Sequence, residues 1–329
     1  MPAMRAVVIT AAGGPEVLQL RDVPRPDPGE RQILVAVAAT AINRADLLQR
    51  RGGYPAPAGW PSSIPGLEYA GTVEAVGAGV TRFGPGDRVM GIVGGGSYAE
   101  YVAVDEREAL LVPASLSLEQ AAAVPEAFIT AHDAIIVQAG LAAGESLLVH
   151  AVGSGVGTAA IQLAKAAGAR TYGTSRSQWK LDRAREFGLD VAINTGTHDF
   201  AAIIEGDTAT DGADVILDLV GGDYLSGNIR CVARHGRIII VGLVAGATAT
   251  LDMRALMTKR ALIRGTVLRS RTPAEKAEVA RAFAEFALPL FETGALRPVV
   301  DRVLKLADAA EAHRLMEASD LYGKVVLAV

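Results

Sequence analysis

The chain has 329 residues, half of them hydrophobic, and its 32 basic and 36 acidic side chains give a formal net charge of −4. That length suits two domains better than a single core, and no basic tract is dense enough to indicate nucleic-acid binding. The one cysteine, Cys231, excludes an internal disulfide, and the uninterrupted apolar run of about 18 residues that a membrane span needs is missing. We therefore expect a cytoplasmic protein without a nucleic-acid or membrane partner.

Residues 1–126 have the pattern of a β-rich domain. Short apolar runs alternate with turn-forming glycines and prolines, which predicts a small barrel-like sheet. The predicted strands span 33–39, 69–76, 88–92 and 98–104. The stretch 51–65 is rich in proline and glycine, so we expect an irregular surface loop there.

Near Glu126 the pattern changes to alternating strands and helices. A helix is predicted over 127–138, and six strands with helical crossovers then predict a doubly wound parallel sheet. The predicted strands span 146–150, 170–174, 191–193, 213–217, 237–241 and 262–266, and the predicted helices between them span 156–167, 177–187, 200–205, 222–232 and 253–258. His132 is expected on the surface of its helix, and His150 in the core at a strand end.

A glycine-rich turn joins the first of these strands to its helix. Gly153, Gly155 and Gly157 alternate with Ser154 and Val156, a spacing one residue tighter than the dinucleotide fingerprint G-x-G-x-x-G. Residues without Cβ let a pyrophosphate approach the N–H groups that open the helix. The second strand follows about twenty residues later, as the fingerprint requires. This turn is therefore predicted to bind a dinucleotide.

The end of the second strand indicates which dinucleotide is bound. An NAD site usually places an acidic residue there to bind the ribose 2′-hydroxyl. Here Gly173 is followed by Ser175 and Arg176, with Lys180 soon after, and no acid is present. Hydroxyl groups and two cations suit a 2′-phosphate, although both cations could instead belong to a solvated helix start. We therefore expect NADPH as the cofactor.

After residue 266 the pattern is mixed again. Thr272, Pro273 and Glu275 form a helix start with a cap, a first-turn proline and a capping-box acid. A strand over 299–304, a helix over 307–318 and a strand over 324–328 complete the chain. The expected division is a discontinuous catalytic domain, 1–126 with 267–329, and an inserted dinucleotide-binding domain, 127–266.

Several stretches of the chain resemble a known family. They are Ala-Ile-Asn-Arg-Ala-Asp-Leu at 41–47, Pro-Gly-Leu-Glu-Tyr-Ala-Gly at 65–71, Pro-Glu-Ala-Phe-Ile-Thr-Ala at 125–131, Ser-Gly-Val-Gly-Thr-Ala-Ala-Ile-Gln-Leu at 154–163 and Leu-Arg-Ser-Arg at 268–271. Nearly the whole chain is similar to the zinc-free quinone oxidoreductases of the medium-chain dehydrogenase/reductase superfamily, and in particular to their p53-inducible subgroup. The resemblance implies an α/β protein in which a GroES-like β-rich catalytic domain accompanies a Rossmann domain with a six-stranded parallel sheet.

The available donor residues argue against a zinc site. Zinc-dependent relatives need a catalytic cysteine and histidine set and a separate four-cysteine lobe, which one cysteine cannot supply. Where those relatives have Gly-His-Glu, this chain has Gly66, Leu67 and Glu68, and leucine cannot bind a metal. Without a metal to polarise a carbonyl, alcohol dehydrogenation is disfavoured. Reduction of an already activated acceptor, a quinone or a conjugated enone, is expected instead.

The resemblance also implies roles for individual residues. It places Asn43 and Tyr54 near the nicotinamide, where an amide and a phenol can donate hydrogen bonds to a quinone oxygen. The alternative is that Asn43 holds a loop and Tyr54 packs on the proline-rich segment. Thr130 is expected near the carboxamide, unless its hydroxyl only bonds its own helix. Arg269 either reaches the cofactor or flanks a domain crossover. The other residues expected to line the nicotinamide side are Gly242, Leu243 and Leu268.

Two other functions remain open on sequence grounds. One is an enoyl-thioester reductase, for which Tyr54 would be the proton donor, and the other is a protein that binds NADPH without catalysis. The complete cofactor turn and the polar pair favour the enzyme. The expected assembly is a homodimer through the Rossmann domain, because the sheet edge around 237–241 and 262–266 is apolar and β-branched, and because such dimers are common in the family.

Overall fold

The computed structural model of the protein describes residues 2–207 and 209–329. The chain divides into two compact units. The first unit comprises Met1–Ile129 with Leu268–Val329, and the second comprises Thr130–Val267.

The elements are as follows in chain order. The strands are β1 (Ala3–Ile9), β2 (Leu18–Pro24), β3 (Gln32–Ala41), β4 (Glu68–Val76), β5 (Arg88–Ile92), β6 (Tyr101–Asp105), β7 (Ala109–Leu111), β8 (Ser146–Val149), β9 (Arg170–Ser175), β10 (Val191–Asn194), β11 (Ala213–Asp218), β12 (Val232–Ile240), β13 (Leu262–Gly265), β14 (Val300–Lys305) and β15 (Lys324–Ala328). The α-helices are α1 (Arg44–Arg50), α2 (Leu118–Ala122), α3 (Thr130–His132), α4 (Gly155–Ala166), α5 (Gln178–Ala184), α6 (Phe200–Glu205), α7 (Tyr224–Cys231), α8 (Met253–Lys259), α9 (Pro273–Glu292) and α10 (Ala309–Ala318). Within the described ranges, no helix is long and apolar enough to cross a bilayer.

A sheet of seven strands forms the centre of the first unit. Its order is β14-β15-β3-β4-β5-β7, with β6 also paired to β3. The pairs are antiparallel except for β14 with β15. Ile33 and Val35 of β3 are fully buried and pack with Tyr69 of β4 and Val89 of β5. The β-rich character expected for this part of the chain is confirmed. Strands β1 and β2 form a separate antiparallel hairpin in the same unit.

The second unit is built on a parallel sheet of six strands. The order is β10-β9-β8-β11-β12-β13. Leu147, Leu148 and Val149 of β8 are fully buried, as a parallel strand covered on both faces requires. The strand order reverses at β8, so the carboxyl ends of β8 and β11 form the switch point at which such sheets bind ligands. The predicted doubly wound sheet is confirmed.

Strand β12 contradicts part of the expected sheet edge. Residues 237–241 do not lie at an edge, because β12 pairs with β11 on one side and with β13 on the other. Ile238 and Ile239 are fully buried. The apolar run that suggested an exposed edge is therefore the signature of an interior parallel strand. In the described part of the sheet, the border strands are β10 and β13.

The helix predicted over 127–138 begins earlier and is wound unevenly. A π-helical segment, Pro125–Ile129, precedes α3, and a second one, Asp133–Gln138, follows it. π-Helical turns rotate later residues away from the positions that a 3.6-residue period gives them. The surface position expected for His132 is consequently wrong, since the residue is buried and burial lowers its pKa to about 4.

Candidate active site

The glycine turn of the second unit opens helix α4 directly after β8. Ser154 is the N-cap residue, and its Oγ accepts a hydrogen bond from the backbone N–H of Gly157 at 3.1 Å. A Cβ at Gly157 would lie 2.6 Å from the carbonyl oxygen of Ala151, so only glycine permits this close approach. Helix geometry leaves the N–H groups of Gly155 and Val156 without intrahelical acceptors. Together with the positive end of the helix dipole they suit a pyrophosphate.

The end of strand β9 lies at the same edge of the sheet. Gly173 is buried, and a Cβ there would lie 2.7 Å from Cδ1 of Leu189, so its role is packing of the strand. Ser175 ends the strand and pairs in register with Asn194, which ends β10. Neither strand end therefore carries a carboxylate.

Two cations follow β9. Arg176 is exposed, and Lys180 is partly buried with its Nζ 5.2 Å from the ring centroid of Trp179. Ser175 Oγ accepts a hydrogen bond from the N–H of Ser177 at 3.1 Å, which fixes the turn into α5. This short segment combines a hydroxyl with two positive charges, the chemistry that a phosphate monoester needs.

The other residues predicted at the cofactor lie in three places. Gly242 follows β12, and a Cβ there would lie 2.4 Å from the carbonyl oxygen of Leu219, so it belongs to the carboxyl edge of the sheet. Leu243 beside it is 56% exposed. Thr130 is partly buried at the start of α3. Leu268 belongs to the first unit and is buried.

A buried hydrogen-bond network ties together the ends of β8, β9 and β11. The imidazole of His150 has Nδ1 at 2.9 Å from Thr174 Oγ1 and Nε2 at 2.7 Å from Asn228 Oδ1. Because Asn228 Nδ2 donates to Asp218 Oδ2 at 2.9 Å, Oδ1 must accept, and His150 Nε2 carries the proton. Burial lowers the pKa of His150. His150 is thus the satisfied core histidine expected from the sequence.

The first unit contains a second polar centre around Glu68, which is completely buried. Its Oε1 accepts hydrogen bonds from Asn43 Nδ2 and Lys324 Nζ, each at 2.7 Å. Its Oε2 accepts the backbone N–H of Glu126 at 2.8 Å. Lys324 Nζ also donates to Ile42 O at 2.9 Å and to Asn43 Oδ1 at 2.5 Å. Both charges of this buried pair therefore have hydrogen-bond partners, which compensates for their removal from water.

Asn43 is the N-cap residue of helix α1 and is held from several directions. Its backbone N–H donates to Asp46 Oδ2 at 2.8 Å. Its amide Nδ2 donates to Glu68 Oε1 and, at 3.3 Å, to Ala41 O. Both amide hydrogens therefore have acceptors within the protein, and the longer bond to Ala41 is the one that an acceptor oxygen could replace most easily.

Asp46 is the final acceptor in a chain of hydrogen bonds in which each residue donates to the next. Arg50 can only donate, so it donates to His313 Nδ1 at 3.2 Å, and His313 Nε2–H then points to the Tyr98 hydroxyl at 3.3 Å. Tyr98 in turn donates to Asp46 Oδ2 at 3.2 Å. Burial, followed by the charge of Arg50, lowers the pKa of His313 to about 3. Burial raises the pKa of Asp46 to about 6, although its backbone donors and Lys324 oppose the shift.

Arg269 fixes the segment that carries Tyr54. Its buried guanidinium donates from Nε to Gly94 O at 2.8 Å, from Nη1 to Tyr54 O at 3.1 Å and from Nη2 to Gln49 Oε1 at 2.5 Å. Its Cζ also lies 5.0 Å from the centroid of the Tyr54 ring, a cation–π distance. The structure thus brings Tyr54 and Arg269 together. The Tyr54 hydroxyl has no hydrogen-bond partner among the described residues, and burial raises its pKa.

Two residues of this centre were not predicted from the sequence. Lys324 lies 256 residues from Glu68, and no local pattern reveals such a contact. Glu126 lies in the stretch 125–131 that resembles the family, but the resemblance implied no role for its side chain. Its carboxyl is only partly exposed, and burial followed by the charge of Glu68 raises its pKa to about 8.

The comparisons with known proteins cover almost the whole chain. The family profile "Alcohol dehydrogenase GroES-like domain" matches residues 29–114, and "Zinc-binding dehydrogenase" matches residues 155–285. A quinone oxidoreductase of Lama guanicoe is 36% identical over 98% of this chain and 97% of its own length. A quinone oxidoreductase of Pseudomonas aeruginosa is also 36% identical, over 98% of this chain and 99% of its own length. The chain belongs to the quinone oxidoreductases of the medium-chain dehydrogenase/reductase superfamily.

Solved structures agree with this membership. Quinone oxidoreductase of Escherichia coli, complexed with NADPH, is 29% identical with a TM-score of 0.89 and covers 99% of this chain and 100% of its own. A structure described as an NAD-dependent alcohol dehydrogenase is 37% identical with a TM-score of 0.88, over 99% of this chain and 100% of its own. The resemblance drawn from the sequence and the GroES-like and Rossmann fold are thus confirmed. As a family member, the chain is an oxidoreductase that uses a nicotinamide cofactor.

Over residues 2–207 and 209–329, the structure contains no group of three or more His, Cys, Asp or Glu side chains that could hold a metal ion. Leu67 is buried, and the carboxylate of Glu68 beside it already has an ammonium partner.

Proposed function

We propose that this protein is a zinc-independent NADPH:quinone oxidoreductase, which transfers a hydride from NADPH to a quinone or a similarly activated conjugated carbonyl. The observation that carries the proposal is the pairing of Glu68 with Lys324. Glu68 stands in the stretch where zinc-dependent relatives have Gly-His-Glu. Here the ammonium of Lys324 lies 2.7 Å from the buried carboxylate of Glu68 and neutralises its charge. Without a Lewis acid, the acceptor must already be electrophilic, and the relatives named quinone oxidoreductase point to quinones.

The second unit supplies the proposed cofactor site. Gly153, Ser154, Gly155, Val156 and Gly157 would hold the pyrophosphate at the start of α4. The 2′-phosphate would be bound by Ser175, Arg176 and Lys180 beyond Gly173. The proposed preference for NADPH rests on these side chains, since one similar structure is complexed with NADPH and another is described as NAD-dependent. Thr130, Gly242, Leu243 and Leu268 are proposed for the nicotinamide side. When bound, the nicotinamide supplies the hydride.

The first unit supplies the proposed acceptor site. The Tyr54 hydroxyl is the donor best placed to bind a quinone oxygen, because it has no hydrogen-bond partner among the described residues. Asn43 would contribute by exchanging its 3.3 Å bond to Ala41 for one to the acceptor. Arg269 would act on the acceptor indirectly, by positioning Tyr54. Since quinones are already electrophilic, placing the acceptor is the larger contribution, and each donor adds a smaller electrostatic one.

We also propose a homodimer that pairs the β13 edges of two second units. β13 borders the sheet, and Leu262 at its start is 43% exposed. Met253 and Met257 of the neighbouring helix α8 are 69% and 75% exposed. An edge strand with apolar neighbours invites pairing with a second copy. The proposed location is the cytoplasm, where the buried thiol of Cys231 would stay reduced.

An assay of NADPH oxidation over a panel of quinones, enones and enoyl thioesters tests the proposed function. We expect turnover with quinones and less with simple enones. Preferential turnover of enoyl thioesters would instead identify an enoyl-thioester reductase. Tight NADPH binding without turnover of any acceptor would identify a non-catalytic binding protein.

A further inference from the structure

Glu126 is a carboxyl beside the polar centre of the first unit, and the function proposed above gives it no role. It lies in the π-helical segment Pro125–Ile129, and π-turns of this kind often occur at functional sites. Its backbone N–H is held by Glu68 Oε2 at 2.8 Å, so its position is fixed. Its carboxyl makes no hydrogen bond or ion pair with any residue in the described ranges. The residue is partly exposed, and its carboxyl oxygens are not among the fully enclosed polar atoms that lack a partner, so the carboxyl keeps access to solvent.

Burial and the neighbouring charge of Glu68 favour the neutral form of the Glu126 carboxyl. Burial is the largest influence, and the negative charge of Glu68 is the next. Together they raise the pKa of Glu126 to about 8, against the opposing charges of Lys324 and Arg269. The charged and titratable groups that act on it or feel it are Glu68 of β4, Lys324 of β15, Asp46 of α1, Arg269, and Tyr54 of the loop after α1. At neutral pH, therefore, Glu126 carries a proton for which the described residues offer no acceptor.

We propose that Glu126 is the acid that protonates the reduced acceptor. This inference rests on the proposed function. A C–H bond of the dihydronicotinamide would break, and its hydrogen would form an O–H bond at one quinone oxygen and bring the electron pair, so the nicotinamide is oxidised and the quinone reduced by two electrons. The other quinone oxygen then carries the negative charge. The O–H bond of Glu126 breaks, a new O–H bond forms on that oxygen, and the hydroquinone is complete. Water returns a proton to the Glu126 carboxylate before the next turnover.

Tyr54 is the other candidate acid, and it is the weaker one. Burial raises the pKa of its phenol above its ordinary value, whereas a hydroquinone oxyanion has a phenolate-like pKa of about 10. Transfer from Tyr54 would therefore run uphill, while transfer from Glu126 runs downhill. The two roles are compatible, because the Tyr54 hydroxyl can donate a hydrogen bond that orients the oxygen to which Glu126 gives its proton.

The kinetic test compares the wild-type protein with Glu126→Gln and Glu126→Asp over pH 6 to about 9.5, with substituted benzoquinones of increasing hydroquinone basicity. We expect the wild-type rate to fall about tenfold per pH unit above the pKa of Glu126. Glu126→Gln should be slower by roughly 10²–10⁴-fold at neutral pH and should lack this decline. The loss should grow with the basicity of the hydroquinone, and Glu126→Asp should restore part of the rate and of the pH dependence. NADPH affinity, measured by fluorescence, should not change.

The control is Glu108→Gln. Glu108 is a buried carboxyl of the same unit, and burial likewise raises its pKa to about 7, but it has no proposed contact with the acceptor. This variant should keep the wild-type rate and pH profile. If Glu126→Gln also keeps both, Glu126 is not the acid. If the wild-type protein reduces no quinone at all, the proposed function fails instead.

A spectroscopic measurement gives a result that does not depend on turnover. In infrared difference spectra of the protein without cofactor, raising the pH from 6 to 9.5 should remove the protonated-carboxyl C=O bands of both Glu108 and Glu126. Glu126→Gln should lack the component that disappears near pH 8, and Glu108→Gln should retain that component. An unchanged difference spectrum in Glu126→Gln would show that this carboxyl is already ionised at neutral pH, and would overturn the proposal.

Discussion

At the residue scale, the proposed function depends on the buried pair of Lys324 and Glu68. They form a buried ion pair in which each partner also makes other hydrogen bonds, and removing one partner of such a pair typically costs about 3–5 kcal/mol. The pair also fixes the amide of Asn43 and the backbone of Glu126. Local signals revealed the glycine turn and the basic end of β9 from the sequence alone. The contacts of Lys324 with Glu68 and of His313 with Arg50 join residues 256 and 263 positions apart, so periodicity and spacing could not reveal them.

The side chains after β9 should determine cofactor preference. Losing one charge-assisted contact to the 2′-phosphate should cost about 1.5–3 kcal/mol, roughly ten- to a hundredfold in affinity. We expect Arg176→Ala and Lys180→Ala to weaken NADPH binding by that factor and to leave NADH binding nearly unchanged. Fluorescence titration with both nucleotides measures this, and Arg183→Ala on the same helix is the control. An unchanged NADPH/NADH ratio in both variants would show that the phosphate is bound elsewhere.

Removing the two proposed hydrogen-bond donors, Tyr54 and Asn43, should affect the stability of the protein differently. Tyr54→Phe removes only a hydroxyl without a described partner, whereas Asn43→Ala also deprives Glu68 and Lys324 of hydrogen bonds. We expect each variant to slow quinone turnover by roughly ten- to a thousandfold without loss of NADPH binding. Only Asn43→Ala should lower the unfolding free energy appreciably.

The double variant completes the comparison of the donors. If both groups address the same oxygen, the combined loss of rate should be smaller than the product of the single losses. Wild-type rates in all three variants would place the acceptor away from both residues.

Glu126 should also affect how stability depends on pH. Its pKa is about 8 in the folded protein against an ordinary value of 4.5. A folded-state pKa that is raised gives a stabilising contribution which is complete below the unfolded-state value and is lost as pH rises through the folded-state value. We therefore expect the wild-type protein to lose more stability between pH 5 and 9 than Glu126→Gln. Urea midpoints at both pH values measure this, and parallel losses would indicate that Glu126 ionises normally.

At the scale of elements, the parallel sheet was predictable and the peripheral hairpin was not. Strands such as β8 are covered on both faces, so they appear as continuous apolar runs. In β2, by contrast, most residues between Leu18 and Val23 are exposed, and no apolar run marks the strand. The same reasoning explains the mistaken edge at 237–241, because a run that is apolar throughout indicates an interior strand. The π-turns around α3 have no sequence signature at all, and they moved His132 into the interior.

The border strand β13 should control assembly. A lysine at an exposed edge position opposes strand pairing between copies, so Leu262→Lys should convert the proposed dimer to a monomer. Light scattering at micromolar concentration measures the mass. Leu111→Lys is the matched control, since Leu111 is an exposed leucine on the border strand β7 of the first unit. A wild-type protein that is already monomeric would contradict the proposed assembly.

For the molecule as a whole, the proposed function assigns the cofactor site to the second unit and the acceptor site to the first. The second unit provides an anion-binding helix start and a basic strand end on one sheet edge. The first unit provides a buried ion pair, a tyrosine held by Arg269 and a carboxyl, Glu126, without a described hydrogen-bond partner. The single cysteine and Leu67 already argued from the sequence against the zinc sites of the zinc-dependent relatives. The hydride chemistry was implied by the resemblance to the family. Which acceptor fits this arrangement depends on the polar centre of the first unit, and its long-range contacts were not predictable.

The most direct test of zinc-independent, NADPH-dependent quinone reduction is the stoichiometry of turnover after exhaustive dialysis against a chelator. Metal analysis of the dialysed protein should find no stoichiometric zinc. With benzoquinone as the acceptor, we expect an undiminished rate and one NADPH oxidised for each quinone reduced. Loss of turnover after dialysis with recovery on addition of zinc, or no quinone-dependent oxidation of NADPH before dialysis, would contradict the central claim.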